Sequence, residues 1–317
     1  MISAGSLSLR LYRGFAEPVR ALALRRSRLA AFGVSPSDPL PIVAIDPGRV
    51  PSCSPGCRFD PKARSVTVDH YLEPPGGAPE TGLARALRVT PTAVDLTRFP
   101  DYAAYEALVR KRSSRTLPKA RKAREAGYSV KRFALSGHVY DVHAVKTSMK
   151  TRAGGPVLDY WFLKPGDIAA PADRPAKLKR PSCDNHWTQW WGVFLPEPGH
   201  AQGAVAVDER LVAYVKVNRR GGVVHYADIM GHADHLGANV MVLLHLELTR
   251  WLLDGDEPMA RGVRAVLYGA LEHGRDGLLV WKKRAGFEPV RLVRAAPQGQ
   301  AGGSLKERPQ PAGSRNP

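Results

Sequence analysis

The sequence predicts an α+β protein, because its second half alternates between patterns typical of strands and of helices. Residues 211–217 and 223–230 are short runs rich in β-branched and aromatic side chains, and two glycines lie between them. Such runs around a glycine turn, here residues 218–222, are typical of a β-hairpin. Residues 239–253 then carry apolar side chains at helical spacing. With 317 residues, the chain is long enough for two modest domains.

The second strand of this hairpin is predicted to carry polar side chains on both faces. Successive side chains of a strand point to opposite faces. We therefore expect Val224, Tyr226, Asp228 and Met230 on one face and His225 on the other.

A loop with two glycines, Gly231 and Gly237, leads from the strand into the helix. The side chain of Asn239 is predicted to cap the helix by accepting from free amides in its first turn. A glycine loop that enters a helix N-terminus presents amides and a positive dipole end, which suits an anion such as phosphate. Strand-like residues 263–269, a short helix at 277–285 and a last strand at 287–293 follow.

This order of elements resembles the GNAT superfamily of acyl-CoA-dependent N-acyltransferases. The resemblance covers residues 128–293, and its most specific piece is the run G-L-L-V-W-K-K-R-A-G-F-E-P at residues 277–289. It implies a mixed, mostly antiparallel sheet flanked by helices. Residues 95–124 are similar to the basic helical stretch ahead of the catalytic domain in Fem-type aminoacyltransferases. Those enzymes use a GNAT-like fold with aminoacyl-tRNA as the donor.

The loop departs from the GNAT pattern for binding pyrophosphate. That pattern begins with Gln or Arg, whereas the corresponding residue here is Asp234, and only Gly237 falls on the motif. An acidic residue near a pyrophosphate is repulsive. Acyl-CoA and aminoacyl-tRNA therefore both stay open as donor substrates, and no permanently bound cofactor is expected.

The resemblance also implies where the site lies, because in GNAT proteins the strand equivalent to residues 223–230 splays from its neighbour at 263–269. Backbone amides in that gap face the acyl carbonyl and stabilise the developing oxyanion. The implied donor-binding positions are Met230, Gly231, His235, Gly237, Ala238 and Asn239. The candidates for proton transfer are Asp228 and His225 as bases and Tyr268 as an acid. The candidates for substrate binding are Arg152, Trp190 and Glu272. Each side chain has a structural alternative, such as packing in the core or at the sheet edge.

The formal net charge of +18 predicts a positive field that attracts polyanions such as tRNA or nucleotide phosphates. Basic side chains concentrate in residues 98–132, where Pro118 predicts two helices or a kink. The candidate contacts to tRNA or another polyanion are Arg110, Arg112, Arg115, Lys119 and Arg121. The alternative to an enzyme is a catalytically silent GNAT-like module that binds RNA or another polyanion through this segment. The structural alternative for this segment is a merely solvated, arginine-rich surface.

The sequence predicts no metal site. Cys53 and Cys57 form a C-x3-C pair, but zinc sites usually show two ligand pairs at short spacing. His232 and His235 lack an evident third ligand. Three cysteines in all fit a reducing cytosol, so a cytoplasmic location is expected. No stretch of about 20 apolar residues predicts a transmembrane segment.

Composition divides the chain into four predicted parts. Residues 1–95, with proline-rich stretches, form an irregular region or a reduced first lobe, and residues 96–127 a basic helical segment. Residues 128–294 form the acyltransferase-like domain, and residues 295–317 a disordered tail. Near the start of the chain, arginines in an apolar stretch are expected to contact RNA or a membrane surface, or to form a plain basic helix.

Overall fold

The computed structural model describes residues 15–48, 52–59, 68–73, 87–152, 155–156 and 164–295. The predicted tail beyond residue 295 therefore lies outside the described residues. The helices are α1 Glu17–Ala31, α2 Tyr102–Arg112, α3 Thr116–Glu125, α4 Val139–Thr147, α5 Pro165–Ile168, α6 Ala233–Leu236, α7 Val240–Asp254 and α8 Asp276–Arg284. The strands are β1 Ile42–Ile45, β2 Pro91–Asp95, β3 Ser129–Phe133, β4 Thr151–Arg152, β5 Gly155–Pro156, β6 His186–Pro196, β7 Ala201–Gln202, β8 Val205–Ala206, β9 Glu209–Arg220, β10 Val223–Gly231, β11 Ala265–Ala270, β12 Glu288–Pro289 and β13 Arg291–Arg294.

The fold is α+β, as predicted, and centres on a seven-stranded sheet in the order β12-β2-β11-β10-β9-β6-β3. Only β10 and β11 are parallel, and the other neighbours in this sheet are antiparallel. The largest apolar core lies between one face of the sheet and helices α2, α3 and α7. Helix α4 packs on the other face with the outer strands, and β1 and β13 cover the remainder. No helix in the described part of the chain is long and apolar enough to cross a membrane.

The β9–β10 hairpin closes more tightly than the sequence indicated. Arg220 pairs with Val223, so the turn consists of Gly221 and Gly222 alone, and the residues predicted to form the rest of the turn continue β9. Gly221 has φ of +53°, and a Cβ atom there would overlap the carbonyl oxygen of Asp46. The turn therefore requires glycine, because the loop after β1 lies directly against it.

A β-bulge at Ala227 changes which side chains of β10 share a face. Tyr226 pairs with Val217, but the next pair is Asp228 with Lys216. The extra residue reverses the alternation, so that Tyr226 packs under α7, while Asp228 points to the α4 face. The expectation that these two side chains share a face is therefore wrong.

Strands β10 and β11 separate after a short paired stretch. They are paired at Val223, Val224 and His225 only, and beyond that point the remainder of β10 pairs with β9 alone among the described strands. This is the splay that the GNAT resemblance implied. It leaves one backbone edge of β10 facing a gap.

The N-terminal region is part of the same structure. Strand β2 lies between β11 and β12 inside the central sheet, and β1 pairs in parallel with β13. The predicted boundary at residue 128 thus cuts through the sheet. Three arginines of α1 point inward: Arg28 donates to the carbonyls of residues 271, 273 and 274, Arg20 donates to that of residue 274, and Arg25 pairs with Glu272. These arginines dock α1 on the loop after β11 and do not form a free arm.

The basic segment forms two helices, as predicted. Helix α2 begins after Asp101, whose side chain accepts from the amide of Ala104 at 2.8 Å. It ends at Arg112, and α3 begins at Thr116. Pro118 lies in the first turn of α3, where its missing N–H removes no helical hydrogen bond.

Candidate active site

Asp228 lies at the splay in a network of polar side chains. The Nζ atom of Lys146 donates to its Oδ2 atom at 2.8 Å, and the hydroxyl of Tyr214 donates to the same oxygen at 3.2 Å. The ring of Tyr214 lies 5.4 Å from that of Trp190. The structure therefore places two residues predicted from the sequence, Asp228 and Trp190, on one face of the sheet, connected through Tyr214.

Tyr268 lies across the splay, on the face that packs against α7. Its ring is 5.9 Å from that of Tyr226, 5.8 Å from that of Trp281 and 6.0 Å from that of Phe287. Burial raises the pKa of the Tyr268 hydroxyl, and the negative charge of Asp228 raises it further. The hydroxyl therefore keeps its proton at neutral pH, as a proton donor must.

Two other candidates lie inside the fold, away from the gap. His225 sits on the paired part of β10, is only 5% exposed and has the Tyr71 ring 6.3 Å away. Glu272 is fully buried and accepts from the Arg25 Nε atom at 3.3 Å and the Thr90 amide at 2.9 Å. Glu272 is thus occupied within the fold and not open to a substrate. The side chain of Arg152 lies outside the described residues.

The predicted donor loop contains the short helix α6, which uses amides that a phosphate site would need. The amide of Ala238 donates to His235, and that of Asn239 donates to the carbonyl of Leu236, both at 3.1 Å. Asn239 has φ of +62°, and its Nδ2 atom donates to Gly237 at 3.0 Å. Its side chain does not bond to the first-turn amides of α7, so the prediction that this side chain caps the helix is wrong. The left-handed backbone turns this side chain back toward the loop.

The other loop positions show why the loop is compact. A Cβ atom at Gly231 would lie 2.7 Å from Leu236 and 2.8 Å from the sulfur of Met241, so the loop folds back tightly onto the end of β10. Met230 is buried on the α4 face. The Nδ1 atom of His235 is 2.8 Å from the Tyr128 hydroxyl. Burial, and then the charge of the nearby His232, lowers the pKa of His235, which favours a neutral ring at pH 7.

A cavity of about 210 Å³ opens at the N-terminus of α7, between α3 and α8. Asn239 lies at this end of the cavity. Three basic side chains line it: Arg115, which directly precedes α3, Lys119 from α3 and Arg284 from α8. Positive charge is thus combined with the positive end of a 15-residue helix. This arrangement suits a phosphate group.

The cavity reaches a buried histidine that the sequence pattern did not indicate. Tyr226 is within 3.0 Å of the His245 Nδ1 atom, and His245 Nε2 is 2.9 Å from the Ala285 carbonyl oxygen. Burial lowers the pKa of His245 to about 4, so it is neutral at physiological pH. Trp281 lines the cavity and also contacts Tyr268. The cavity and the splay therefore meet at one aromatic cluster. A polar residue on the buried face of a helix was the only signal in the sequence.

The five basic residues predicted to bind polyanions do not form one surface. Arg112 forms an ion pair with Glu288 and donates to the carbonyl of Phe287 at 3.1 Å. Its guanidinium therefore holds α2 against the segment after α8. Arg110 and Arg121 are exposed. Only Arg115 and Lys119 line the cavity.

A second cluster of chemically active side chains lies elsewhere. The ligand atoms of Cys53, Cys57, Cys183 and His186 all lie within 4.8 Å of one another. The sequence analysis found no partner pair for Cys53 and Cys57. That pair exists as C-x2-H, 126 positions further along the chain, and only folding brings the two together. For His232 and His235, no third ligand is found among the described residues.

Comparison with known proteins gives matches to solved structures only, because no protein-family model and no curated protein matches the chain. The crystal structure of FemX matches with a TM-score of 0.42 and 11% identity, over 63% of this chain and 58% of that one. A tandem GNAT protein from the clavulanic acid biosynthesis pathway has a TM-score of 0.34 and 16% identity, over 69% of this chain and 58% of that one. The C-terminal domain of a putative lysylphosphatidylglycerol synthetase from Agrobacterium fabrum has a TM-score of 0.31 and 13% identity, over 62% of this chain and 56% of that one.

These matches are GNAT and Fem-type proteins, the kinds that the sequence resemblance predicted. The chain spans less than two thirds of the length of each.

Proposed function

We propose that the protein is an acyltransferase of the GNAT type that moves an acyl or aminoacyl group from a phosphate-bearing donor to an amine. The observation that carries this proposal is the splay of β10 from β11 after three paired residues. The gap exposes a backbone edge at the bulged end of β10, where amides can stabilise the oxyanion of a tetrahedral intermediate.

The cavity at the start of α7 supports a donor with phosphate groups. Arg115, Lys119 and Arg284 can pair with phosphates, and Trp281 offers an apolar wall. Coenzyme A and the 3′ end of an aminoacyl-tRNA both carry phosphates at a distance from the reacting carbonyl. Both donor classes therefore belong to the proposal.

The side chains at the splay suit the proton transfers of the reaction. Asp228 accepts a proton from the attacking amine, directly or through a water molecule, while the amine nitrogen bonds to the acyl carbon. The carbonyl oxygen takes up negative charge, which amides near Met230 and Gly231 stabilise. When the intermediate collapses, the bond to sulfur or to the ribose oxygen breaks. Tyr268 then protonates the leaving group and regains a proton from solvent, and Asp228 releases the proton of the amine to solvent. Lys146 holds Asp228 in place through the 2.8 Å ion pair.

Charge reversal on α3 tests the donor site. Lys119 lines the cavity, whereas Arg121, two residues further on, is exposed, forms an ion pair with Glu125 and does not line the cavity. We expect Lys119→Glu to weaken binding of coenzyme A or bulk tRNA at least about tenfold, through loss of a charged contact. Arg121→Glu should leave this binding nearly unchanged. The measurement is a titration together with the ligand-induced shift in melting temperature.

Equal weakening by the two variants, with a steep dependence on salt, would contradict a defined donor site and favour the catalytically silent module that binds polyanions. Catalysis is tested separately with Tyr268→Phe and Asp228→Asn. Both should keep donor binding and lose transfer to a panel of amines, followed as release of the coenzyme A thiol or as deacylation of tRNA. Transfer at the wild-type rate in both variants would remove these two residues from the mechanism.

A further inference from the structure

Four side chains from two distant parts of the chain converge at the start of β6. Cys53 and Cys57 come from the loop after β1, and Cys183 and His186 come from the turn that leads into β6. All three cysteines of the chain take part, all lie in the described residues, and none is in a disulfide. Three thiols and one imidazole nitrogen thus meet at one place.

The distances match a tetrahedral metal site. The Nδ1 atom of His186 lies 3.3 Å from the sulfur of Cys53, 3.5 Å from that of Cys57 and 3.7 Å from that of Cys183. Zinc–sulfur bonds of about 2.3 Å and a zinc–nitrogen bond of about 2.0 Å at tetrahedral angles separate nitrogen and sulfur by about 3.5 Å. Each sulfur therefore lies at about the spacing from the nitrogen that a shared tetrahedral ion requires, and all four ligand atoms lie within 4.8 Å of one another.

The surroundings of His186 fix the nitrogen that faces the sulfurs. Its Nε2 atom lies 2.9 Å from the carbonyl oxygen of Gly48 and must donate to it, so Nδ1 carries the lone pair. Histidine ligands usually make this kind of hydrogen bond with the nitrogen that is not bound to the metal. The ring of Phe59 stacks on the imidazole at 4.2 Å and restrains its orientation.

A buried cation lies beside the cluster. Arg219 is 2% exposed, and its Nη2 atom donates at 2.9 Å to the Oδ1 atom of Asn185, the residue that precedes His186. The Nδ2 atom of Asn185 donates at 3.1 Å to the carbonyl of Ser52, next to Cys53. One divalent ion with three thiolates and a neutral imidazole has a net charge of −1, which this guanidinium offsets.

We propose that Cys53, Cys57, Cys183 and His186 bind one Zn²⁺ ion as a structural site. On binding, each thiol releases its proton to solvent, and the sulfurs and Nδ1 form four bonds to the metal. Zinc is favoured because a set of three sulfurs and one nitrogen is among its usual structural ligand sets. Four protein ligands leave no open coordination position.

The place of the site also indicates a structural role. His186 pairs with Arg220 next to the β9–β10 turn, so the site lies at the start of β10, whereas the splay is near its other end. Val223 and Gly231 are eight residues apart, which is about 26 Å along a strand. The ion therefore ties the loop after β1 to the sheet and takes no part in acyl transfer.

The first test is the metal content of the full chain, purified without chelators or a metal-affinity tag. We expect one zinc per chain by elemental analysis. We also expect a cobalt-exchanged protein to show the visible d–d bands of tetrahedral cobalt and a sulfur-to-cobalt charge-transfer band. Folded protein with neither zinc nor a cobalt spectrum would overturn the proposal. A disulfide between Cys53 and Cys57 in the folded protein, found by mass spectrometry, would do so as well.

Variants at position 186 separate a metal ligand from a packing residue. His186→Cys retains four ligands and should keep one zinc per chain. His186→Gln should lose zinc affinity by more than about 100-fold, the upper range for outer-shell partners alone. His143→Gln, on α4, is the control and should keep its zinc. Equal zinc content in all three variants would overturn the assignment of His186. If the glutamine variant does not fold, zinc content and the cobalt spectrum of wild type and His186→Cys still decide the matter.

Discussion

Lys282 should make the stability of this protein rise steeply with pH. The side chain is 1% exposed, its Nζ atom donates to the Ala270 carbonyl at 2.7 Å, and it lies 5.0 Å from the centre of the Tyr268 ring. Burial lowers its pKa to about 7, while the charge of Glu272 acts in the opposite direction and that of Arg28 lowers it further. Native Lys282 is thus largely deprotonated at a pH where a lysine in the unfolded chain is still charged.

The sign and size of the effect follow from proton linkage. Between pH 7 and the unfolded pKa of about 10.4, the unfolded chain binds a proton that the native state does not. The free energy of unfolding therefore rises with pH in this window, by up to about 1.4 kcal/mol per unit. From pH 7.5 to 9.5 the contribution of this one residue is up to about 3 kcal/mol. Below pH 7 both states are protonated, and the contribution of Lys282 becomes constant.

The assay is urea unfolding between pH 7 and 9.5 for wild type, Lys282→Met and Lys283→Met. Methionine at 282 leaves the Ala270 carbonyl without its donor, at a cost of about 1–3 kcal/mol that does not depend on pH. The slope of the free energy of unfolding against pH therefore reports the titration of Lys282 separately from this constant cost. It should flatten in Lys282→Met and persist in Lys283→Met, because Lys283 is exposed. Equal slopes in wild type and Lys282→Met would refute the reasoning.

Two further predictions concern matched pairs of positions, each measured by urea unfolding. Gly221→Ala should destabilise by at least about 3 kcal/mol, because it combines a positive φ with overlap on the Asp46 carbonyl. Gly199→Ala, at φ of +82° in open space, should cost only about 1–2 kcal/mol, and similar losses for both would contradict the close approach. Arg28→Met leaves the carbonyls of residues 271 and 273 without this donor, removes one of two arginine donors from that of residue 274, and should cost about 3 kcal/mol or more. Arg26→Met on the exposed side of α1 should stay within about 0.5 kcal/mol, and a loss equal to that of Arg28→Met would mean that α1 is not docked as described.

The second half of the chain could be predicted from local patterns because its elements are long and periodic. Helix α7 differs from the predicted range by one residue at each end, and β10 by one residue at its end. The bulge at Ala227 could not be predicted in this way. One inserted residue leaves the composition of a strand unchanged, and only the pairing with β9 reveals it.

Candidate residues beside the splay could be predicted because the order of elements indicates where the splay lies. The order of elements indicated the splay, and with it Asp228 and Tyr268. Glu272 was misjudged because its partner Arg25 lies 247 positions away. A separation of 126 positions hid the link between the Cys53–Cys57 pair and the Cys183–His186 pair. Long-range pairing of this kind depends on how the N-terminal region folds, and that region has the weakest periodic pattern.

The N-terminal region is required by the rest of the fold, and three independent contacts support this. Strand β2 completes the central sheet between β11 and β12, so its loss would expose the edge of the strand that carries Tyr268. Helix α1 supplies the buried guanidinium of Arg28 to the loop after that same strand. The proposed zinc site ties the loop after β1 to the start of β6. The contacts of β2 and of Arg28 hold β11, which forms one wall of the splay. The proposed zinc site holds the β9–β10 hairpin near its turn. The region predicted as irregular or as a reduced first lobe therefore positions both strands that form the candidate active site.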